Sequence, residues 1–569
     1  MSSKNTNYSV FDTSIGAPPA TKKLRGEGQQ TDEVVAQDAL NETGFGKFNY
    51  KVLAVCALIC INAAFSTLSI GFILPAAACD FKMTTEDKGH LTVSFMLGMF
   101  VSSYFWGCLA DTKGRKASLL LALFIHGGSE FLASLIPFYW GFLILKFISG
   151  LAICGQITLL YTYLAEFQPR KKRDLFLALM ETSWVTGIIL VACVAWIIVP
   201  LNIEYKSGIL SFRSWNLFVM MCSLPALIVG TWLTFFPETP KYLADTGQNA
   251  KMLNVLARMY SENTGNPSEE YFANLKKSGN QMLIELLVRI TDRKNEQEEI
   301  KVKSLKDITM DIFSQTLMLV KQPYLRRTFI LCLVTYLIMS SYYMLILWLP
   351  DLFQRYAEFQ DRFPNQSASV CTVILIKNNE TIMDTNSYGC DTPIQNHVYF
   401  YALILALACV PVGLSLPLLI DRMGYTFFLV SSTLVASLAT LCFFLVKTSV
   451  DNLVVSCFFE SLTSMCVGVV WCMIVDLYPT HLRSIAAGLA SFFGRLGSIM
   501  GNLMTGLLID TQCTMLISLV AVQLFLCGVL GLLTPKREKP EKNVHTHIYK
   551  QISYLFPKAK NIYVGMSHR

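Results

Sequence analysis

Long apolar runs alternate with short polar segments along most of the chain. Each run is close to the roughly 20 residues that an α-helix needs to cross a bilayer. We assign twelve runs, at about 51–78, 90–110, 117–138, 141–165, 175–200, 215–236, 327–350, 397–420, 426–446, 451–475, 485–509 and 512–534. The pattern therefore predicts an all-α integral membrane protein with twelve transmembrane helices, six on either side of a long polar segment.

The polar segments set the predicted domain organisation. Residues 1–47 are polar with scattered Gly and Pro, which is typical of a disordered tail. We expect a first six-helix bundle over 48–236 and a second over 326–534. Between them, 237–325 has mixed charge and some helical pattern, so we expect a loop with short helices. Residues 535–569 form a second polar tail, which is basic.

Composition supports a membrane protein and excludes other classes. Of the residues, 53% are hydrophobic and 15% are charged, whereas soluble proteins carry about 25% charged residues. The net charge of +7 does not indicate nucleic-acid binding, because Lys and Arg lie in short loops between apolar runs. The sequence has no nucleotide-binding or hydrolase motif and only seven histidines. We therefore expect no enzymatic activity, no cofactor and no metal site.

The short basic loops predict the orientation in the membrane. Lys113 to Lys116, Arg170 to Arg173, Arg422 and Arg483 lie in loops that alternate with weakly charged ones. Basic loops stay in the cytoplasm. Both tails and the central segment are then cytoplasmic, and no signal peptide is visible at the start.

The loop at 351–396 falls on the opposite side of the membrane. It contains glycosylation sequons at Asn365 and Asn379, and two cysteines, Cys371 and Cys390. An oxidising, glycosylating compartment suits both features. We therefore predict glycosylation of this loop and a disulfide between Cys371 and Cys390.

Two signatures repeat at one common distance. GCLADTKGRK at 107–116 has a weaker copy, PLLIDRMGYT at 417–426, so that Asp421 follows Asp111 by 310 residues. Glu-x-x-Pro-x-x-x-Arg at 166–173 has a copy that begins with Asp476, again 310 residues later. A shared offset of two unrelated signatures indicates an internally duplicated chain.

These features resemble the major facilitator superfamily. The motif at 107–116 lies between the second and third runs, and Pro-Glu-Thr-Pro-Lys-Tyr-Leu at 237–243 resembles the sugar-porter and organic-ion branch. Gly-Lys-Phe-Asn-Tyr at 46–50, Gly-Phe-Ile-Leu-Pro at 71–75 and Lys88-Gly89 resemble the synaptic vesicle glycoprotein 2 family, especially insect-type members.

The resemblance implies two bundles that rock about a central site, opening it to each side in turn. Charges at the cytoplasmic helix ends then act as latches that hold this side shut in one state. The residues expected to form the latches are Gly107, Asp111, Gly114, Arg115, Glu166, Arg173, Asp421, Arg422, Gly424, Asp476 and Arg483. Read without the resemblance, they are ordinary charges and glycines at helix ends.

Charged and aromatic residues within the runs are candidates for a substrate or ion cavity, because charges there are costly and rings can hold a cation. They are Glu130, Lys146, Glu181, Trp184, Tyr343, Glu460, Trp471 and Arg495. Structural pairs between helices, or rings at the bilayer interface, are the alternative roles.

The first run departs from the family pattern. Acidic residues are usual there, but this chain has Ala63, Ser66 and Ala78, and keeps only Asp80 at the outer end. This argues against proton coupling through the first run. Three options stay open: uniport or exchange, coupling through Glu130, Glu181 or Glu460, or loss of transport.

Two functions follow from the sequence. The first is a transporter that moves a small organic solute, charged or neutral, by alternating access. The second is a protein that keeps the transporter fold for a trafficking, regulatory or ligand-binding role. We expect a monomer in the plasma membrane or in a secretory or synaptic vesicle, whose partners are the solute, the lipid bilayer and, through the tails, trafficking proteins.

Overall fold

The structure, a computed structural model, describes residues 37–201, 203–207, 210–277, 310, 314, 316–363, 366–374, 395–478 and 480–534. The N-terminal helices are α1 Lys47–Ala76, α2 Thr85–Val101, α3 Ser103–Lys113, α4 Arg115–Ala133, α5 Tyr139–Phe167, α6 Arg170–Ile198 and α7 Ser214–Leu233. Shorter helices follow at α8 Pro240–Asp245, α9 Asn249–Thr264 and α10 Ser268–Lys277. The C-terminal helices are α11 Leu325–Ile346, α12 Leu349–Arg362, α13 Asn396–Met423, α14 Tyr425–Cys442, α15 Ser449–Leu477, α16 Thr480–Leu508 and α17 Cys513–Leu532.

Each of the twelve predicted runs coincides with a long helix, or with α2 and α3 together. Within the described ranges, nine helical segments are long and apolar enough to cross a membrane. Runs in α4, α6 and α16 fall outside this set. α4 contains His126 and Glu130, α16 contains Arg495, and the apolar part of α6 is short, Thr182–Ile198. The all-helical membrane fold is confirmed, while the count of twelve spans stays a prediction.

The internal repeat is visible in the helix boundaries. Gly114 separates α3 from α4 with a φ of 102°, and Gly424 separates α13 from α14 with a φ of 80°. Positive φ favours glycine at both breaks. α5 and α6 begin and end 310 residues before α15 and α16. The spacing of the two sequence signatures is therefore also the spacing of the helices.

The outer surface of the helices is apolar. Trp140, Ile197, Phe235 and Leu445 are between 68% and 75% exposed. A water-soluble protein rarely exposes a continuous apolar surface of this kind. In a bilayer these side chains contact lipid, so the burial pattern agrees with the hydropathy.

Glycines bring neighbouring helices into close contact. A Cβ at Gly98 would overlap the Phe147 backbone, and a Cβ at Gly150 would overlap the Phe95 backbone. Small residues of this kind allow close packing of α2 and α5, where burial in lipid supplies no hydrophobic drive for association.

The two ends of the helices differ. The motif end carries the turn at Gly114 and the helices α8 to α10. The loop end carries α12 and an antiparallel hairpin of β1 Glu204–Ser207 and β2 Leu210–Arg213. Arg213 extends from the hairpin to pair with Asp80 at 2.8 Å. The apolar pattern alone did not predict this hairpin.

Residues 37–47, which we assigned to the disordered tail, are part of the fold. Ala39, Leu40 and Thr43 are buried, and the Tyr271 hydroxyl of α10 donates to the Ala39 carbonyl at 2.8 Å. Asn263 of α9 accepts from the Phe48 amide at 3.0 Å. Residues 37–47 thus pack on α9 and α10, and the predicted disorder up to residue 47 is wrong for this stretch.

The predicted disulfide is also wrong. Cys371 pairs with Cys513, the first residue of α17, across a Cα–Cα distance of 5.5 Å. Cys79 is also disulfide-bonded, and Cys390 lies outside the described residues. Cys513 stands at the edge of an apolar run, so its position in the sequence suggested a membrane residue. The fold places it at the loop end, beside the segment that contains Cys371.

Replacing Cys513 by Ser should free Cys371 for labelling by a maleimide, because its disulfide partner is then lost. Mass spectrometry of unreduced peptides from the wild type should recover a peptide that links the two cysteines. Cys457→Ser, at a free cysteine, is the control and should leave Cys371 blocked. A Cys371 that stays blocked in Cys513→Ser would contradict this pairing.

Candidate functional site

A cluster of charges joins three N-terminal helices at the motif end. The Arg115 guanidinium lies 3.2 Å from Asp111 and 3.3 Å from Glu166, and its side chain is only 9% exposed. It also lies over the Tyr242 ring of α8, 5.4 Å from the centroid. In this state the three predicted latch residues pair with one another, within the N-terminal helices.

Glu238 supports this cluster, and our sequence reasoning gave it no role. Its carboxylate accepts hydrogen bonds from the Lys116 amide at 2.9 Å and from the amide of the next residue, Thr239, at 3.0 Å. These contacts satisfy a free amide at the start of α4, as a capping side chain does. Burial raises the pKa of Glu238, although the amide donors and the nearby Arg115 charge oppose the shift. The feature of the sequence that could have identified Glu238 is its position as an acidic residue just after the sixth apolar run.

Glu130 and Lys146 form an ion pair inside the N-terminal helices. The Lys146 ammonium lies 2.7 Å and 3.0 Å from the Glu130 oxygens, and the Ser149 hydroxyl donates at 2.6 Å. Both charged side chains are at most 1% exposed. His126, one turn before Glu130, contacts Ser66 at 2.8 Å. The structure thus pairs two cavity candidates with each other and away from the cavity described next.

An apolar cavity of about 40 Å³ lies between N-terminal and C-terminal helices. Glu460 of α15 is the one charged residue on its wall, and it is 2% exposed. The other walls come from α1, α6, α11, α12 and α13, through Leu68, Phe72, Ile188, Val191, Ala192, Ile346, Leu349, Pro350, Phe353, Ala402, Leu405, Ala406 and Cys409. Of the predicted cavity residues whose side chains the structure describes, Glu460 alone lines this cavity.

Arg495 bridges the two sets of helices. It extends from α16 and donates to the Met99 carbonyl at 2.6 Å and to the Ser103 hydroxyl at 2.8 Å, and it also contacts Cys154. One turn earlier, the Phe492 ring lies 4.6 Å from Phe100. Arg495 is thus held by the N-terminal helices.

The other aromatic candidates occupy different surroundings. Tyr343 is partly buried and lies edge-on against Tyr342, with ring centroids 5.0 Å apart. Trp184 is partly buried against the core. Trp471 is 44% exposed, and neither tryptophan lines the cavity.

The other latch candidates lie outside the cluster of Asp111, Arg115 and Glu166. Arg173 donates to Gln37 at 2.9 Å, and Arg422 is exposed at the end of α13. A Cβ at Gly107 would have no neighbour within 4 Å. The predictions for Glu181, Asp421, Asp476 and Arg483 concern side chains outside the described part, and Asn365 and Asn379 lie outside the described residues altogether.

The loop end holds a buried ion network that the sequence did not reveal. The Lys88 ammonium of α2 lies 2.5 Å from Asp351 of α12. Arg355, one turn later on α12, lies 2.8 Å from Asp351 and 2.6 Å from Asp510 at the end of α16. Its guanidinium also donates to Thr85 at 3.4 Å. We call Lys88, Asp351, Arg355 and Asp510 the loop-end network; it ties α2 to α12 and α16.

The fold and the cavity between its halves define a membrane transport protein of the major facilitator fold. Residues 59–377 match the family of sugar (and other) transporters, and residues 387–557 match the major facilitator superfamily. Because the first match covers more than half of the chain, the chain belongs to the sugar (and other) transporter family.

Similar curated proteins show which family within the superfamily the chain resembles. Synaptic vesicle glycoprotein 2B of Rattus norvegicus is 30% identical over 362 residues, which is 61% of this chain and 52% of that protein. Synaptic vesicle glycoprotein 2C of Homo sapiens is 25% identical over 619 residues, 92% of this chain and 84% of that one. The chain thus spans about half the length of the first relative, and it resembles the synaptic vesicle glycoprotein 2 family.

Solved structures agree on the fold. The xylose transporter XylE from E. coli, in a partially occluded inward-open conformation, superposes with a TM-score of 0.60. The match covers 87% of this chain and 99% of that one at 13% identity. A crystal structure of a D-xylose-proton symporter gives a TM-score of 0.58 at the same identity. At this identity the likeness concerns the fold alone.

Replacing Gly114 by Ala should destabilise the motif end. Ala at a φ of 102° is strained by about 1–2 kcal/mol, and its Cβ would displace Glu238. Gly265→Ala is the matched control, because Gly265 also has a positive φ, 83°, but no atom within 4 Å of the added Cβ. Thermal unfolding of the purified protein should show a larger loss for Gly114→Ala. Equal losses would mean that the contact with Glu238 contributes nothing.

Replacing Glu130 by Gln should strongly destabilise the protein, because it leaves a buried ammonium group without its counter-charge. Loss of one partner of a buried pair costs about 3–5 kcal/mol. The double variant Glu130→Gln with Lys146→Met should recover most of the lost thermal stability. Unchanged stability of the single variant would contradict a structural pair.

Proposed function

We propose that the chain moves a small organic solute across a membrane by alternating access, with the cavity at Glu460 as the solute site. The observation that carries this proposal is a buried ion network that joins N-terminal and C-terminal helices at the loop end. Closure of one end by such contacts is what one state of a rocking transporter requires.

The loop-end network supports closure of that end. Its charges are at most 17% exposed, and they connect α2 of the N-terminal helices to α12 and α16 of the C-terminal helices. Beside them, Gly89 of α2 meets Gly506 of α16 so closely that a Cβ on one would touch the backbone of the other. Phe72 also stacks on Tyr399, with ring centroids 6.1 Å apart. Opening this end must break all of these contacts together.

We propose that the passage is open at the motif end in this state. A Cβ added at Gly107, Gly413 or Gly488 would have no neighbour within 4 Å. These glycines lie on α3, α13 and α16, which come from both sets of helices. If the basic loops are cytoplasmic, as the charge pattern predicts, this state faces the cytoplasm.

The opposite state requires the motif end to close. We propose that the cluster of Asp111, Arg115 and Glu166 then contacts the C-terminal helices near Asp476 and Arg483. In the present state the three charges already pair within the N-terminal helices, so the cluster is preformed. A preformed cluster needs little reorganisation to accept a new partner.

The cavity walls favour a small solute with an apolar body. Leucine, isoleucine, valine, alanine and phenylalanine form most of the wall, and Glu460 alone carries a charge. A sugar requires many hydrogen-bonding groups around its hydroxyls, whereas this wall offers few. The chemistry suits an organic cation or a neutral, largely apolar solute.

The similarity to synaptic vesicle glycoproteins supports a second candidate function. The chain could act as a vesicle protein that keeps the transporter fold and moves no solute. The absence of acidic residues at Ala63 and Ser66 of α1, and at Ala78 just after it, favours this alternative. Uptake of labelled organic cations, sugars and neutral solutes into proteoliposomes separates the two functions. Solute accumulation supports transport, and its absence across the panel under every imposed gradient supports the alternative.

Replacing Asp351 by Asn should open the loop end, because Lys88 and Arg355 lose the carboxylate between them. A loss of about 3 kcal/mol corresponds to roughly a 100-fold shift in the opening equilibrium. Hydrogen–deuterium exchange of the peptides that contain residues 85–92 and 349–358 should rise accordingly.

The control for this experiment is Glu204→Gln at the same end of the protein. Glu204 pairs with Arg213 at 3.4 Å, is half-exposed and, like Arg213, belongs to the N-terminal part. It should leave exchange at both peptides unchanged. Equal exchange in Asp351→Asn and the wild type would contradict a closing role for the network.

A further inference from the structure

Glu460 is a buried acid without a counter-charge. It lies in the middle of α15 and is 2% exposed, and neither carboxylate oxygen has a hydrogen-bond partner. Across the described residues, no lysine, arginine or histidine nitrogen lies within ion-pairing distance of it. Glu130 is equally buried but has Lys146, so the two acids differ in how their charge is balanced.

The groups that face Glu460 are all neutral. α11 contributes Tyr342 and Tyr343, α13 contributes Cys409, and Cys457 lies one turn earlier on α15. The Tyr342 hydroxyl is close enough to interact with the carboxyl group, although the geometry falls short of a regular hydrogen bond. Arg495 is held elsewhere by Met99 and Ser103.

An ionised carboxylate in these surroundings would be strongly unfavourable. It must therefore hold a proton or lie beside a bound cation. A metal ion such as Ca²⁺ or Mg²⁺ requires about six oxygen ligands, and the cavity wall offers essentially one carboxyl group. An organic ammonium ion fits better, because apolar walls can surround its body while the carboxylate pairs with its charge.

We propose that Glu460 binds a proton and exchanges it for the ammonium group of a small organic cation. In the exchange, the carboxyl O–H bond breaks, the carboxylate pairs with the ammonium group, and the released proton leaves to solution on the open side. One proton leaves for each cation that binds, so total charge is conserved. The inference rests on the proposed role of the cavity as the solute site.

Infrared spectroscopy of the purified full-length protein in nanodiscs near neutral pH tests whether the Glu460 carboxyl group is protonated. The wild type should absorb as a protonated carboxyl group, and this band should be absent from Glu460→Gln. Glu460→Asp keeps an acid at the site and should restore a band at a shifted position. Glu86→Gln, at an exposed acid, is the control and should keep the band. Identical spectra of the wild type and Glu460→Gln would overturn the proposal.

The exchange is tested with methylammonium and dimethylammonium as probes, and potassium chloride as the ionic control. Either probe should weaken the carboxyl band and release protons into a weakly buffered solution, at least tenfold more than in Glu460→Gln. A band that neither probe alters would overturn the exchange. If the probes displace the proton but no solute accumulates in proteoliposomes, then the proposed transport fails while the site stands.

Discussion

A charge inside a membrane-spanning helix must be balanced, because neither lipid nor an apolar wall can solvate it. This constraint organises the polar interior of the protein. Lys146 balances Glu130 within the N-terminal helices. Lys88 and Arg355 balance Asp351 and Asp510 across the two sets of helices. The Glu130–Lys146 pair lies within one set of helices and stabilises the fold. The loop-end network joins the two sets of helices and stabilises one conformation.

The difference lies in which helices share the charges. In the proposed cycle, a pair between α4 and α5 stays intact when the halves rock, so it costs nothing. The network between α2, α12 and α16 would have to break when the loop end opens. Its buried charges would then gain water, which offsets part of the lost pairing. Under this proposal, the same chemistry stabilises the fold permanently in one place and closes one end reversibly in another.

The sequence predicted the parts of the fold that depend on local pattern. Hydropathy located the helices, and the offset of 310 residues anticipated the paired breaks at Gly114 and Gly424. It also singled out Glu130 and Lys146, yet it could not pair them. Whether residues 16 positions apart on two helices meet depends on how each helix is rotated.

The residues whose roles the sequence did not reveal make contacts between segments that are far apart in the chain. Lys88 and Asp510 look like ordinary charges at helix ends, and only the fold brings them to one network. Cys513 looks like part of an apolar run, but it lies at the loop end within reach of Cys371. Glu238 follows a run by a few residues and caps a different helix, α4. Each of these contacts joins segments that are distant in sequence, which no local pattern encodes.

The most direct test of alternating access is the distance between α3 and α16 at the motif end. Spin labels placed at Gly107 and Gly488 by unnatural amino acids have free space on both sides and leave the native cysteines untouched. Pulsed electron paramagnetic resonance should give two distances, and the shorter one should gain population when Asp351→Asn opens the loop end. A single distance that does not respond to Asp351→Asn would contradict the account.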